Sequence, residues 1–181
     1  MITFVLGKQN SGKSELAEKL AMQSGDVRRY YIATMKIFDD EGRDRVRKHR
    51  EKREGKGFIT IEREYDIISV LNDMEYPEQA TLLLECVSNL VGNEIYDNAA
   101  RAERLKCGEL SAEGFADETA EEIKQLSEKV HNTIIVSNEY ESDAEGYDDE
   151  TRDYIRMLDM VNERISRYSD RIYDLRKGST D

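Results

Sequence analysis

The chain has few cysteines, no long apolar run and too little positive charge to balance its acids. Its two cysteines, Cys86 and Cys107, stand in unrelated contexts without metal-ligand spacing, which excludes a disulfide framework and reads as reduced thiols in a cytoplasmic protein. Neither is given a functional role. No stretch approaches the ~18 apolar residues of a membrane span. The opening MITFVLGKQN lacks a basic n-region, and its apolar run is too short for a signal peptide. With 27 Lys plus Arg against 39 Asp plus Glu, the formal net charge is −12. That argues against a polyanion such as nucleic acid as the main partner, while local basic stretches remain able to bind small anions. Internal repeats, low-complexity segments and clear linkers are also missing. The 181 residues therefore suit one α/β domain, residues 1–181, with little room for a second catalytic domain.

What is present alternates between strand and helix signals. MITFVLG reads as a buried parallel strand, and KSELAEKLAMQSG as a helix with an apolar stripe at Leu16, Ala17, Leu20 and Ala21 that Gly25 stops. YYIATM is the next strand. The charged stretch that follows it predicts a helix capped by Asp39 or Asp40 and ended by glycines. FITIE reads as a short strand and YDIISVLND as a helical turn or two before Pro77, the only proline. TLLLECV, the most apolar strand, leads into a helix expected from about Asn89 to Lys106. A long acidic helix, the buried strand TIIVSNE, an acidic loop over Tyr140–Glu150, a last amphipathic helix and a final edge strand RIYDLRKG complete the order. This alternation predicts a mostly parallel sheet covered on both faces.

Between the first strand and first helix lies GKQNSGKS, which fits G-x-x-x-x-G-K-[ST]. Gly7 and Gly12 let the backbone turn so that N–H groups point inward at phosphate oxygens. Lys13 places a cation on the β and γ phosphates, and the Ser14 hydroxyl can ligate Mg²⁺. The positive end of the following helix adds to this field. The strand–loop–helix context makes it a strong signal for a nucleoside triphosphate and a weak one for which. A carboxylate at the end of an apolar strand normally completes such a site. Glu85, ending TLLLE, is the better candidate and Glu139, ending TIIVSNE, its rival.

Of the two histidines, His131 reads as a surface residue. His49 lies in RDRVRKHREKR, where helical spacing puts Arg45 and Arg53 on its face. Neighbouring cations disfavour the imidazolium, so His49 is expected neutral, able to serve as a base or as a nucleophile on phosphorus. On composition alone, a solvated helix face trading ion pairs explains the same stretch.

Taken in order, GKQNSGKS, YYIATMKIFDDEGRDRVRKHREKR, FITIE, LLLEC and IIVSNE resemble the bifunctional adenosylcobinamide kinase/adenosylcobinamide-phosphate guanylyltransferase family of cobalamin synthesis. The IAT strand followed by a D-E element and H-x-x-x-R is the most specific part. The resemblance implies a P-loop, RecA-like three-layer α/β fold, a homotrimer, and two activities. These are phosphorylation of adenosylcobinamide by GTP or ATP with Mg²⁺, and transfer of GMP from GTP through a guanylyl-histidine to give adenosylcobinamide-GDP. Carried over residue by residue, the loop Gly7, Lys8, Gln9, Asn10, Ser11, Gly12, Lys13 and Ser14 would bind the nucleotide. His49 would be the guanylylated nucleophile and Lys13 the catalytic cation. Arg50 and Arg53 would steady phosphates, Glu62 would face the site, and Ser14 with Glu85 would hold the metal.

Some positions depart from the family pattern. Its loop reads G-G-A-R-S-G-K-S, whereas Lys8 stands here for glycine or alanine and Asn10 for arginine. After VSNE the family continues V-G-x-G-I-V-P, replaced by Tyr140, Glu141, Ser142, Asp143, Ala144, Glu145 and Gly146. Asn162 and Asp170 match, Asp159 replaces a glycine, and the closing V-V-S-G becomes YDLRKG. The fold is therefore expected to transfer better than the full activity, and acidic side chains in the altered loop repel a phosphate-bearing substrate. Two further readings remain. One is a single-function P-loop kinase or nucleotidyltransferase acting on another small molecule; the other is a non-catalytic nucleotide-binding regulator.

Overall fold

The computed structural model describes residues 1–37, 40–140 and 146–175, without the side chains of Glu41, Arg45, His49 and Lys52. Six strands form one sheet: β1 (Ile2–Gly7), β2 (Arg28–Ala33), β3 (Phe58–Glu62), β4 (Ala80–Glu85), β5 (Asn132–Asn138) and β6 (Arg171–Asp174). Their spatial order is β3-β2-β4-β5-β1-β6, and every pairing is parallel. Six α-helices accompany them: α1 (Lys13–Gln23), α2 (Asp40–Arg53), α3 (Val87–Tyr96), α4 (Ala99–Lys106), α5 (Ala112–Glu128) and α6 (Asp149–Tyr168).

Strand side chains alternate between two cores. Phe4, Leu6, Tyr30, Ile32, Leu82, Leu84 and Ile135 pack against α3, α5, α6 and the 3₁₀ segment Ile67–Asp73. Val5, Tyr31, Leu83, Ile134 and Val136 face the other way, onto Ala17 and Ala21 of α1. The central strands are buried on both faces, which is why they read as unbroken apolar runs. Helix α2 is different: Val46 is its one apolar side chain, so it has no face to bury on the sheet. Among the described residues no helix is long and apolar enough to cross a membrane.

The expected helix from Asn89 to Lys106 is two helices. The Asn98 side chain accepts from the Arg101 amide and starts α4 afresh, because a short polar side chain competes for backbone donors and favours a cap over a helix interior. The new axis lets Arg101 reach back to Glu94 at 3.2 Å, and both are buried. Asp40 opens α2, while Asp39, the other expected cap, lies outside the described residues. The acidic loop ends earlier than expected: Asp148 accepts from the Thr151 amide at 2.8 Å and α6 begins at Asp149. Residues 141–145 of that loop, and the part of the expected final strand beyond Leu175, lie outside the described residues.

At the N-terminal rim of the sheet, Asp26 gathers three segments. It accepts from Thr81 Oγ1 at 2.7 Å and Asn132 Nδ2 at 2.9 Å, and lies 2.9 Å from His131 Nδ1. His131 is thus exposed as expected but holds a partner 105 residues away. Burial would raise the Asp26 carboxyl, but the hydrogen bonds from Thr81, Asn132 and His131 outweigh it and hold the group below its ordinary range. A depressed folded pKa contributes stability that is present above the unfolded pKa and lost as pH falls through the aspartate range, about pH 4 and below. Asp26→Ala is expected to cost about 1–3 kcal/mol in urea unfolding at pH 7 and to flatten the acid limb. The same acid dependence in both proteins would remove Asp26 as its source.

Candidate functional site

Because the strands are parallel, their C-terminal ends share one rim. Ala33 lies in register with Glu62 on one side and with Glu85 on the other, so the two glutamates end the strands that flank β2, in one row. Strand β1 ends two residues further on, with Gly7 opposite Asn138, and there the loop Gly7–Ser14 begins.

The loop is held by its own backbone. The Ser11 amide donates to the Lys8 carbonyl at 3.3 Å, and Lys13 Nζ folds back to donate to the same carbonyl at 3.1 Å. Gly12 has φ +80°, a left-handed conformation that glycine adopts without penalty, and it starts α1. At Gly7 the need is space: a Cβ would lie 2.5 Å from Ser11 Oγ and 3.0 Å from Leu175 Cβ. Lys8, Gln9 and Asn10 are exposed at the loop's tip, whereas Lys13 is 8% exposed. Burial pulls the Lys13 ammonium below its usual range, opposed by Cys86 and Glu85.

Ser14 Oγ donates to Glu85 Oε1 at 2.5 Å, so of the two strand-end glutamates it is Glu85 that Ser14 touches. The other oxygen, Glu85 Oε2, accepts from the Tyr31 hydroxyl at 3.1 Å. The Tyr31 ring in turn carries the Arg53 guanidinium, whose carbon lies 3.5 Å from the ring centroid. Arg53 is 6% exposed, and its Nε and Nη1 have no hydrogen-bond partner among the described residues. Arg50, by contrast, is exposed and pairs with Glu62. Just beyond α2, Lys56 Nζ reaches Glu18 of α1 at 2.5 Å and ties the end of the helix to the core. His49 lies on α2 one residue before Arg50, its side chain outside the described part of the structure.

The structure therefore brings Lys13, Ser14, Glu85 and, through Tyr31, Arg53 into one connected group. Arg50 and Glu62 form a second pair near the rim. Sequence reasoning missed Tyr31, whose signal was its place as the second of two tyrosines in a strand, facing α1 rather than the larger core. Among the described residues no cluster of three or more His, Cys, Asp or Glu could cage a metal. Mg²⁺ does not require one: it takes oxygen ligands, commonly one or two carboxylates plus phosphate oxygens and water, and the Ser14 hydroxyl with the Glu85 carboxylate fits that need.

A parallel sheet with α1 on one face, α3, α5 and α6 on the other, and a G-x-x-x-x-G-K-S loop at the end of β1 defines a P-loop NTPase-like three-layer sandwich. The family model described as cobinamide kinase / cobinamide phosphate guanyltransferase matches residues 3–180, and the chain belongs to that family. The bifunctional adenosylcobalamin biosynthesis protein CobU of Escherichia coli K12 is 37% identical over 97 residues, 54% of this chain and 51% of that protein. The chain thus aligns with about half the length of the curated relative it matches.

The contact at Gly7 is directly testable. Gly7→Ala is expected to destabilise the fold by about 1–3 kcal/mol through overpacking, read from the urea midpoint. Adding Ser11→Ala should restore part of that loss, because it removes the hydroxyl the new methyl meets. No rescue would place the strain at Leu175 instead.

Proposed function

We propose that this protein is a bifunctional cobinamide kinase and cobinamide-phosphate guanylyltransferase, with residues 1–181 acting as one nucleotide-binding domain. The observation that carries the reading is the loop Gly7–Ser14 leaving β1 with Ser14 bonded to Glu85, in a chain matched to this family over residues 3–180. Arg53 supports it. A buried cation with unsatisfied N–H groups is costly unless an anion completes it, and a phosphate oxygen is the ligand a guanidinium suits best.

In the kinase step, Lys13 and the loop amides of Gly7, Lys8, Gln9, Asn10, Ser11 and Gly12 hold the triphosphate of GTP or ATP. A hydroxyl of the corrinoid, adenosylcobinamide, attacks the γ-phosphorus; the β–γ bridge breaks and the nucleoside diphosphate leaves. Mg²⁺ held by Ser14 and Glu85 would neutralise charge on the phosphate oxygens as the bond breaks. In the transfer step, neutral His49 attacks the α-phosphorus of GTP and displaces pyrophosphate. The phosphate of adenosylcobinamide phosphate then displaces the histidine, giving adenosylcobinamide-GDP. Splitting one nucleotidyl transfer into two in-line steps keeps each within reach of the same arginines.

Arg50 enters by exchanging Glu62 for phosphate. Their ion pair is exposed, and such pairs contribute only about 0–1 kcal/mol, so the exchange costs little. Glu62 then remains at the rim, facing the site. A homotrimer belongs to this reading by family resemblance. So does a cytoplasmic location, which the two unpaired cysteines fit.

Incubation with GTP and Mg²⁺ followed by intact-protein mass measurement is expected to give an acid-labile GMP adduct, absent in His49→Ala. A folded wild-type protein that acquires no adduct would remove the transferase half of the reading. Lys13→Ala is expected to lower phosphorylation of adenosylcobinamide by at least a hundredfold, about 2.7 kcal/mol of transition-state stabilisation. Undiminished turnover in that variant would show that the loop is not the kinase site.

A further inference from the structure

We infer that Tyr31 is a positioning residue that sets the metal-facing carboxylate of Glu85 and the phosphate-facing guanidinium of Arg53 in one stroke; the inference rests on the nucleotide-dependent reading above. Tyr31 is 4% exposed and lies on β2 between the strands that end in Glu62 and Glu85. Its two ends do different work. The hydroxyl donates to Glu85 Oε2 at 3.1 Å, which leaves Oε1 as the oxygen that meets Ser14. A carboxylate held at one oxygen presents the other in a fixed direction, the requirement of a cation that takes strict octahedral geometry. The ring face carries Arg53 at 3.5 Å, and the Phe58 ring stands edge-on to Tyr31 with centroids 6.3 Å apart, which fixes the ring plane.

The chemistry of the hydroxyl agrees. A phenol is protonated at neutral pH, so the hydroxyl is a donor to the carboxylate beside it. No carboxylate pairs with Arg53 among the described residues, so the ring is the support that holds this cation in place. One residue thus links the end of the basic helix to the carboxylate beneath the phosphate loop.

Tyr31→Phe keeps the ring and deletes only the donor. GTP binding is measured by calorimetry in EDTA and across a magnesium titration, with the thermal transition as the check on folding. The expected result is affinity in EDTA within about twofold of wild type and a magnesium midpoint raised about tenfold. Tyr31→Leu, which also removes the ring, is expected to raise the midpoint and in addition weaken binding in EDTA about tenfold. An unchanged midpoint in Tyr31→Phe, with a wild-type midpoint clearly present, overturns the role of Tyr31 alone. Wild-type protein that binds GTP without any magnesium dependence overturns the role of Tyr31 and that of Glu85 together. Wild-type protein that does not bind GTP overturns the functional reading itself.

Discussion

All six described strands run parallel, so every one of them ends on the same rim, and the candidate site residues gather there. Register then decides which residues meet. Ala33 opposite both Glu62 and Glu85 places two carboxylates in one row, on the face that α1 covers. Helix α1 starts at Lys13 on that same face, which is why its second residue, Ser14, meets a strand-end carboxylate across the sheet. A shift of one residue in β4 would turn Glu85 to the opposite core and break the contact. The opposite rim serves a structural purpose, with Asp26 binding the starts of β4 and β5 to the turn after α1.

The buried cations of this acidic chain differ in how they are partnered. Arg101 is 8% exposed and is surrounded by Glu94 at 3.2 Å, Glu122 at 2.6 Å and Glu118 at 3.6 Å. Those carboxylates lift its guanidinium above its usual range against the opposing effect of burial, and the group joins α3, α4 and α5. Arg53 is as deeply buried yet has only an aromatic face beneath it and two nitrogens without acceptors. Lys13 has one loop carbonyl. In a chain with such an excess of acids, neither of these two buried cations has a carboxylate partner among the described residues, which sets them apart from Arg101.

Much of this arrangement was legible in the sequence because its signals are local. The apolar run before Gly7, the spacing of GKQNSGKS and the stripe on α1 each lie within one element, and the strands are central enough to read as continuous apolar runs. What escaped reading depends on distant partners. Tyr31 looks like any strand aromatic until register sets it beside Glu85. Arg53 is expected to steady phosphates, but its burial on the Tyr31 ring depends on how the end of α2 meets β2. His131 finds Asp26 only when the sheet is assembled. The break at Asn98 was missed for a different reason: Ala99 to Lys106 favour helix, and the low-propensity pair Asp97 and Asn98 before them was not read as a cap.

The departures within the phosphate loop bear on how far the family pattern constrains this copy. Asn10 sits at φ 60°, a left-handed conformation that asparagine accepts more readily than arginine does. Replacing the family's arginine there removes a cation but lowers the strain of the turn. Lys8 contributes to the frame through its carbonyl, which receives both the Ser11 amide and Lys13 Nζ, and a carbonyl is indifferent to the side chain attached beside it. The loop's geometry therefore rests on backbone and on Gly7, Gly12, Lys13 and Ser14. The exchanged positions lie at its exposed tip, where they alter surface charge and leave the loop's backbone frame intact.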